Sequence, residues 1–493
     1  MKKISTLILL SLSAMFIFSC QKAESPVTDP SEGTITTLTV AAPGSDVDTK
    51  VSFEDEATGM KLTWKENDVI TIYSADGNTK AGNYQCTAVD ESGNATFSKE
   101  ESATALVSGT TYQAVYPASA ETTITARNTA MATTLAAQTQ SANDLTHLDD
   151  YLFMKSASFV AGTENLAFTY EVSTYVLTFP WHNDSEGANK ATAVELRDGE
   201  KSYKLTTSAE GGFADNKAYF MILPNDVDAE RKLVFSVYNS TTHRAFGVNS
   251  TKNFTHSKTY RGNISKYTKY TENSVDRGFA TAVDGVLWAP VNCGYEPVNG
   301  DYKGYPYGKL YQWGRKDGQG YKYDSYEDAT EPTVVEGLPS TPYLTNAEAN
   351  SFYKKKWNNT TAPDGTWGTS APWDTKNTKN DPCPEGWRVP TSAELEVLYA
   401  HSSEGTWDDS TNEGRWFAGT AAVVENKSNA VFFPAAGCRF SSSGNARNRG
   451  SVGNYWSSTP SFAIAYQLHF HSGAAEVGSG FRASGFSVRC VQE

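Results

Sequence analysis

Two histidines, a few cysteines and a set of loop tryptophans are the residues whose types and spacing could do chemistry. His469 and His471 stand two apart in Tyr466-Gln467-Leu468-His469-Phe470-His471, and in a strand that spacing turns both rings to one face, close enough to share a metal ion. The same spacing describes two exposed pairing partners on a wet strand face, which is the reading adopted; no metal and no cofactor is assigned. Cys86 stands by itself in the N-terminal region and reads as a small buried side chain. Cys293, Cys383, Cys438 and Cys490 allow three pairings, and without a Cys-x-x-Cys spacing a zinc site has no support. The motifs His-Glu-x-x-His and Gly-x-Ser-x-Gly and the phosphate and dinucleotide loops are absent, and no carboxylate pair for glycoside hydrolysis is singled out among the 56 acidic residues. The chain therefore reads as non-catalytic. Binding is the chemistry left: Trp313, Arg315, Trp357, Trp367, Trp373 and Trp407 lie in loop-like contexts, where aromatic faces and hydrogen bonds can hold a glycan.

These residues need a frame, and the composition supplies one. Hydrophobic residues are 39% and charged residues 20% of 493, with 26 Tyr, 23 Phe and 11 Trp, enough to pack cores in two or three domains. Lys and Arg number 42 against 56 Asp and Glu, a net charge of −14, and no basic stretch is interleaved with aromatics, so nucleic acid is excluded as a partner. From Val51 onward the pattern is that of strands. Leu62 and Trp64 alternate, Lys65 to Asp68 supply a turn, and Val69 to Tyr73 follow, which predicts a hairpin. Further β-rich runs lie at 111–116, 166–179, 218–223 and 233–238, and helical periodicity is scarce. A β-sandwich, or two in tandem, is the natural packing. Beyond Thr271 the composition shifts, with nine of the 11 Trp in the remaining residues, which predicts a separate domain. Its one clear helix starts at Pro390-Thr391-Ser392-Ala393-Glu394, a capping box followed by an apolar stripe of Leu395, Leu398 and Tyr399.

The chain opens with Lys2 and Lys3, a short apolar run from Leu7 to Phe18, and Ser19-Cys20. That is a secretory signal, too short for a membrane span. Its end resembles the bacterial lipobox, which implies cleavage before Cys20 and a lipid on its sulfur. The expected order is a signal over residues 1–19, a lipidated Cys20 with a flexible stalk over 20–48, β-sandwich over 49–270, and a second domain over 271–493. An outer-membrane lipoprotein facing the cell surface or a pilus, tied to the membrane by its lipid alone, follows from that reading.

Thr49-Lys50-Val51-Ser52-Phe53 and Leu62-Thr63-Trp64-Lys65-Glu66-Asn67-Asp68-Val69-Ile70 resemble the opening of fimbrillin-like proteins, the lipoprotein pilins and pilus-associated proteins of Bacteroidetes. The resemblance implies transthyretin-like sandwiches, proteolytic trimming at a basic residue, here Lys50, and strand addition to other pilus subunits. Separately, Trp288-Ala289-Pro290-Val291-Asn292, Tyr311-Gln312-Trp313-Gly314, Cys383-Pro384-Glu385-Gly386-Trp387-Arg388-Val389-Pro390-Thr391, Phe433-Pro434-Ala435-Ala436-Gly437, Tyr455-Trp456-Ser457-Ser458-Thr459 and Ser487-Val488-Arg489-Cys490-Val491 resemble in order and spacing the Fibrobacter succinogenes major paralogous domain. That family is similar to C-type lectin-like folds, in which the first and last strands pair and long loops carry the binding surface. The resemblance places Trp387 and Trp456 in the core and favours a Cys383 to Cys490 disulfide, which leaves Cys293 with Cys438. The calcium-dependent sugar signature of true C-type lectins is absent, because Glu296-Pro297-Val298-Asn299 is displaced by one residue and Trp181-His182-Asn183-Asp184 lies in the other domain.

The expectation is a surface lipoprotein that acts as an adhesin at the tip or cap of a pilus and binds a glycan or host protein through its C-terminal domain. The last residues, Ser487 to Glu493, fall inside the lectin-like motif, so they are not expected to serve as a donor strand. The alternatives are a lipid-anchored glycan-capture protein beside a polysaccharide importer, and an enzyme related in fold to the formylglycine-generating oxidases. For the enzyme, one free thiol in the mature protein would count against it and three or more would revive it.

Overall fold

In a computed structural model of the protein, residues 33–42, 63–140, 146–162, 166–181, 190–207, 211–225, 229–240, 242–295, 307–316, 318–320, 333–335, 356–358, 362–400, 407–409, 413–418, 430–441 and 446–493 are described. Cys20 and Lys50, the two residues expected to be modified, lie outside them. The chain is mainly β, with its strands spread over many sheets, and no helix of the described residues is long and apolar enough to cross a membrane.

The N-terminal region begins with an antiparallel sheet ordered Phe168–Tyr170, Met154–Ser156, Thr111–Tyr116, Val69–Ser74, Lys80–Val89, Ala95–Lys99, Thr37–Val40. Val69–Ser74 pairs with Lys80–Val89 on one side and Thr111–Tyr116 on the other; the turn expected over Lys65 to Asp68 forms, while Leu62, on the other arm of the expected hairpin, lies outside the described residues. The Asp68 carboxylate accepts the Lys65 amide at 2.8 Å and Asn67 takes φ 76°, which turns the chain between Trp64 and Val69. Trp64 is a plug: its ring meets Phe97, Tyr116 and Phe168 edge-on, with centroids 5.2 to 5.5 Å apart, and its Nε1 donates to the Ala41 carbonyl at 2.9 Å.

A helix absent from the sequence expectation spans Ile124–Ala136. Thr123 caps it by accepting the Ala126 amide at 3.2 Å, and its buried face is only Arg127, Met131 and Leu135. Arg127 forms a buried ion pair with Glu171, and it is at Glu171 that the expected run 166–179 breaks into the strands Phe168–Tyr170 and Ser173–Thr178. A carboxylate taken out of water needs such a partner.

Ser173–Thr178 then enters a three-stranded sheet between Lys217–Ile222 and Thr259–Asn263. Facing it is a five-stranded sheet ordered His243–Ser250, Arg231–Tyr238, Ala193–Asp198, Lys201–Thr207, Ala137–Gln140. Tyr175 and Phe235 meet between the two, and the Gln138 side chain joins them by exchanging hydrogen bonds with the Met221 backbone. One continuous set of buried side chains runs from Leu38 to Tyr267, so these sheets share a core.

In the C-terminal region Thr281–Val283, Val286–Trp288, Val491–Gln492 and Trp387–Arg388 form one sheet. A larger one is ordered Gln319–Gly320, Lys309–Gln312, Gly485–Ser487, Val452–Ser461, Ile464–His471, Ala475–Phe481, and Trp407–Asp408, Gly414–Ala418 and Ala430–Pro434 form a third. An early strand of the region meets its last, Trp288 opposite Val491. The helix runs Ser392–Ala400 with its capping box closed: the Glu394 amide donates to Thr391 Oγ1 at 3.2 Å and the Thr391 amide to Glu394 Oε2 at 2.8 Å. Leu395 and Leu398 are buried, but Tyr399 is exposed; the stripe is two residues wide because the sheet covers only that face.

Candidate functional site

The C-terminal region is built around its own last strands. Ser487, Val488, Arg489, Cys490 and Val491 are all essentially inaccessible to solvent. Their neighbours come from the start of the domain: the Ala289 amide donates to the Cys490 carbonyl and the Cys293 amide to that of Val488, both at 2.9 Å. The Arg489 guanidinium is buried yet satisfied, donating to Asn292 Oδ1, Ala289 O and Phe432 O over the Phe433 ring. A buried cation with each guanidinium nitrogen directed at an oxygen holds one arrangement and penalises others.

Cys383 and Cys490 are joined, with an S–S distance of 2.09 Å across 107 residues. The second expected bridge is not formed: Cys293 and Cys438 are both free. Backbone pairing with the terminal segment draws Cys293 against the existing bridge, and the three sulfurs of Cys293, Cys383 and Cys490 lie within 4.8 Å of one another. Cys438 sits outside that group, on the strand Cys438–Arg439 paired with Ala446–Arg447. The Cys293 thiol faces Glu272 Oε1 at 3.4 Å and accepts from the Tyr311 hydroxyl at 3.3 Å, and burial pushes its pKa well up. With Cys86, the free thiols among the described residues number three, which on count alone is enough to revive the enzyme reading. The two in this domain are nevertheless apart, Cys293 in a turn beside the disulfide and Cys438 on the strand Cys438–Arg439. No sequence spacing could have indicated the three-sulfur group, since its members are brought together from the start, the middle and the end of the domain.

Trp313 and Trp367, expected as ligand platforms, are 1% and 0% exposed, and Arg315 is buried as well. Both indoles are core residues with their polar edge satisfied: Trp313 Nε1 donates to Ser457 O at 2.8 Å, and Trp367 Nε1 lies between Arg315 O and Asn380 O. Trp373 and Trp407 are half-buried, and the Trp357 side chain lies outside what the structure describes. His469 and His471 hold separate partners, Asn454 Oδ1 at 3.0 Å and the Gly473 amide at 3.1 Å, with ring centroids 6.2 Å apart.

The aromatic surface is elsewhere. Phe462 is 98% exposed at the turn between Val452–Ser461 and Ile464–His471, and Phe481, opposite Ile464 on the next strand, is 68% exposed. Phe462 stands at φ 50°, a backbone geometry unfavourable for a bulky side chain. The buried Arg482 holds that turn by donating to Phe462 O and to Ile464 O, pairs with Asp364, and stacks 4.4 Å over the Trp313 ring. Trp313 thus floors the arginine that fixes the exposed phenylalanine. A lone Phe in a Ser-Phe-Ala turn carries no sequence signal for that role.

No curated protein matches the chain. Among solved structures it is similar to a fimbrial protein from Bacteroides ovatus, with 13% identity over 93% of this chain and 99% of that one and a TM-score of 0.26. It is also similar to the tip fimbrial protein Mfa3 from Porphyromonas gingivalis with C-terminal truncation, with 12% identity over 43% of this chain and 81% of that one and a TM-score of 0.18. Residues 251–492 match the family model described as the Fibrobacter succinogenes major domain; within them, Thr259–Asn263 still pairs in parallel with Ser173–Thr178 of the N-terminal sheets. The C-terminal half of this chain carries a Fibrobacter succinogenes major domain.

Proposed function

We propose that this protein is a non-catalytic surface adhesin at the tip or cap of a pilus, anchored during export by a lipid on Cys20 and trimmed at Lys50. In this reading residues 49–270 are transthyretin-like sandwich that receives a strand from a neighbouring subunit, and residues 271–493 are a C-type lectin-like head that touches a glycan or a host protein. The observation that carries it is the burial of Ser487 to Val491 between strands of their own domain. That stretch cannot be lent to a neighbour without opening the core around Arg489 and Cys490. A subunit that receives a strand but keeps this one ends a filament. The contact surface in this reading is the Phe462 and Phe481 edge, with Trp373 and Trp407 as half-exposed neighbours in the same domain.

The test is assembly of the trimmed protein with the pilus subunits of its own cell, with gold-labelled antibody against the head and deuterium uptake along the chain. Label confined to filament ends, with residues 485–493 protected equally in free and assembled protein, is the expected result. Label along the shaft, or a tail protected only after assembly, overturns it.

A further inference from the structure

Cys293 is a completely buried free thiol placed beside a closed disulfide. Three further observations show that the sulfur environment is equipped for exchange. Glu272 is buried, one carboxylate oxygen lies 3.4 Å from the Cys293 sulfur and accepts the Gly294 amide, and the other has no hydrogen-bond partner. The Cys293 sulfur also lies 3.3 Å from the Pro382 carbonyl, on the peptide that leads into Cys383. The Tyr270 hydroxyl, fully buried, sits 3.6 Å from the Cys490 sulfur. A purely structural bridge needs neither a carboxylate with an open lone pair nor a third sulfur.

We propose that Cys293, Cys383 and Cys490 form a thiol–disulfide interchange site that moves the covalent tie off the terminal strand. The Cys293 proton passes to Glu272, and the thiolate attacks Cys383 Sγ. A Cys293–Cys383 bond forms as the Cys383–Cys490 bond breaks, with the electron pair leaving on Cys490. Tyr270 donates to that departing thiolate, and the proton held by Glu272 returns to it, so one thiol and one disulfide are present before and after and no oxidant or reductant is consumed. Burial raises the pKa of both Cys293 and Glu272, which makes the carboxylate a better base and the exchange slow until the sulfur ionises. In the exchanged form the segment before the helix is tied to Cys293 near the start of the domain, and Cys490 holds its place by strand pairing and packing alone. The site thereby separates covalent closure of the domain from covalent retention of its last strand.

The test uses the full mature protein, incubated without reductant at about pH 8.5, quenched in acid, labelled with N-ethylmaleimide in denaturant, cut with pepsin and mapped by mass spectrometry. The expected result is a Cys293–Cys383 peptide together with label on Cys490, rising with time to a minor population of at least about one part in a hundred. Glu272→Gln slows its appearance about tenfold without changing the final ratio, and Cys293→Ser yields only Cys383–Cys490. The wild-type map needs no substitution, so it decides between the outcomes even where a variant fails to fold. Label confined to Cys293 among these three residues at every time, or a new bridge that joins Cys293 to Cys490 instead, overturns the proposal.

Discussion

The Lys232 ammonium, on a strand of the N-terminal sheets, donates to the carbonyl oxygens of Gln492 at 3.0 Å and Glu493 at 2.9 Å. The end of the chain is therefore held by the N-terminal region as well as by its own domain. Burial, followed by the nearby Arg388 charge, brings the Lys232 pKa down to about 8.

That depression gives a pH signature. Between about pH 8 and 10 the unfolded chain keeps a proton on Lys232 that the folded chain has released, so this group adds stability as pH rises, by about 1 kcal/mol from pH 7 to 9, while the Cys86, Cys293 and Cys438 thiols, all raised by burial, act in the opposite sense in the same window. Above that window the buried tyrosines act in the opposite sense, since Tyr175 and Tyr203 are raised to about 12 and the unfolded chain loses its phenolic protons first. Urea midpoints of wild type and Lys232→Met isolate the lysine: wild type gains on the variant by about 1 kcal/mol between pH 7 and 9.

His243 provides the acid counterpart. It is buried, stacks on Tyr238 with ring centroids 5.6 Å apart, and is pushed down to about 3 by desolvation and the Arg244 charge. Its folded pKa lies below the unfolded value, so stability is lost as pH falls below about 6.5, reaching about 3 kcal/mol by pH 4. Asp381, raised to about 7 by burial, stabilises the fold on acidification in the same window. The diagnostic is therefore a difference: His243→Phe gains on wild type by about 3 kcal/mol between pH 7 and 4 in urea titrations.

The two partners of the capping box should differ sharply. Thr391→Ala removes a cap worth about 1 kcal/mol. Glu394→Ala also strips the largely buried Arg388 guanidinium of both its carboxylate contacts, at 2.7 and 2.8 Å, and costs about 3 kcal/mol or more. Chemical denaturation followed by tryptophan fluorescence separates them; equal losses would show that Arg388 finds other partners.

Core and contact aromatics also separate by experiment. Trp313→Ala empties a buried site and leaves Arg482 without its ring, costing about 3 to 5 kcal/mol. Phe462→Ala touches a side chain almost wholly in solvent and changes stability by less than about 0.5 kcal/mol. If the Phe462 edge is the contact surface, the second variant melts like wild type yet loses adhesion to whole-cell glycan or protein arrays. Unchanged adhesion would move the contact to Trp373 or Trp407.

What could be read from the chain is what neighbouring residues decide among themselves. The run 111–116 is a strand over just those residues, and Thr391 with Glu394 announces the helix, because alternation and capping act over one to four positions. The Ile124–Ala136 helix was hidden because its threonines favour other backbone states and its buried face contains an arginine whose partner, Glu171, lies 44 residues away. The turn at Lys65 to Asp68 was legible because it acts within four residues, whereas the place of the Trp64 indole was not, because Phe97 and Phe168, remote in sequence, claim it. Loop context suggested exposed rings at Trp313 and Trp367, but burial belongs to whatever folds over a residue, and here Ser457, Asn380 and Arg482 do. The Cys383 to Cys490 pairing followed from a family resemblance, whereas the third sulfur beside it did not. Pairing of the segment 286–293 with the domain's last strand and the residues before it sets that sulfur in place, and only the closed tertiary structure brings such distant residues within reach.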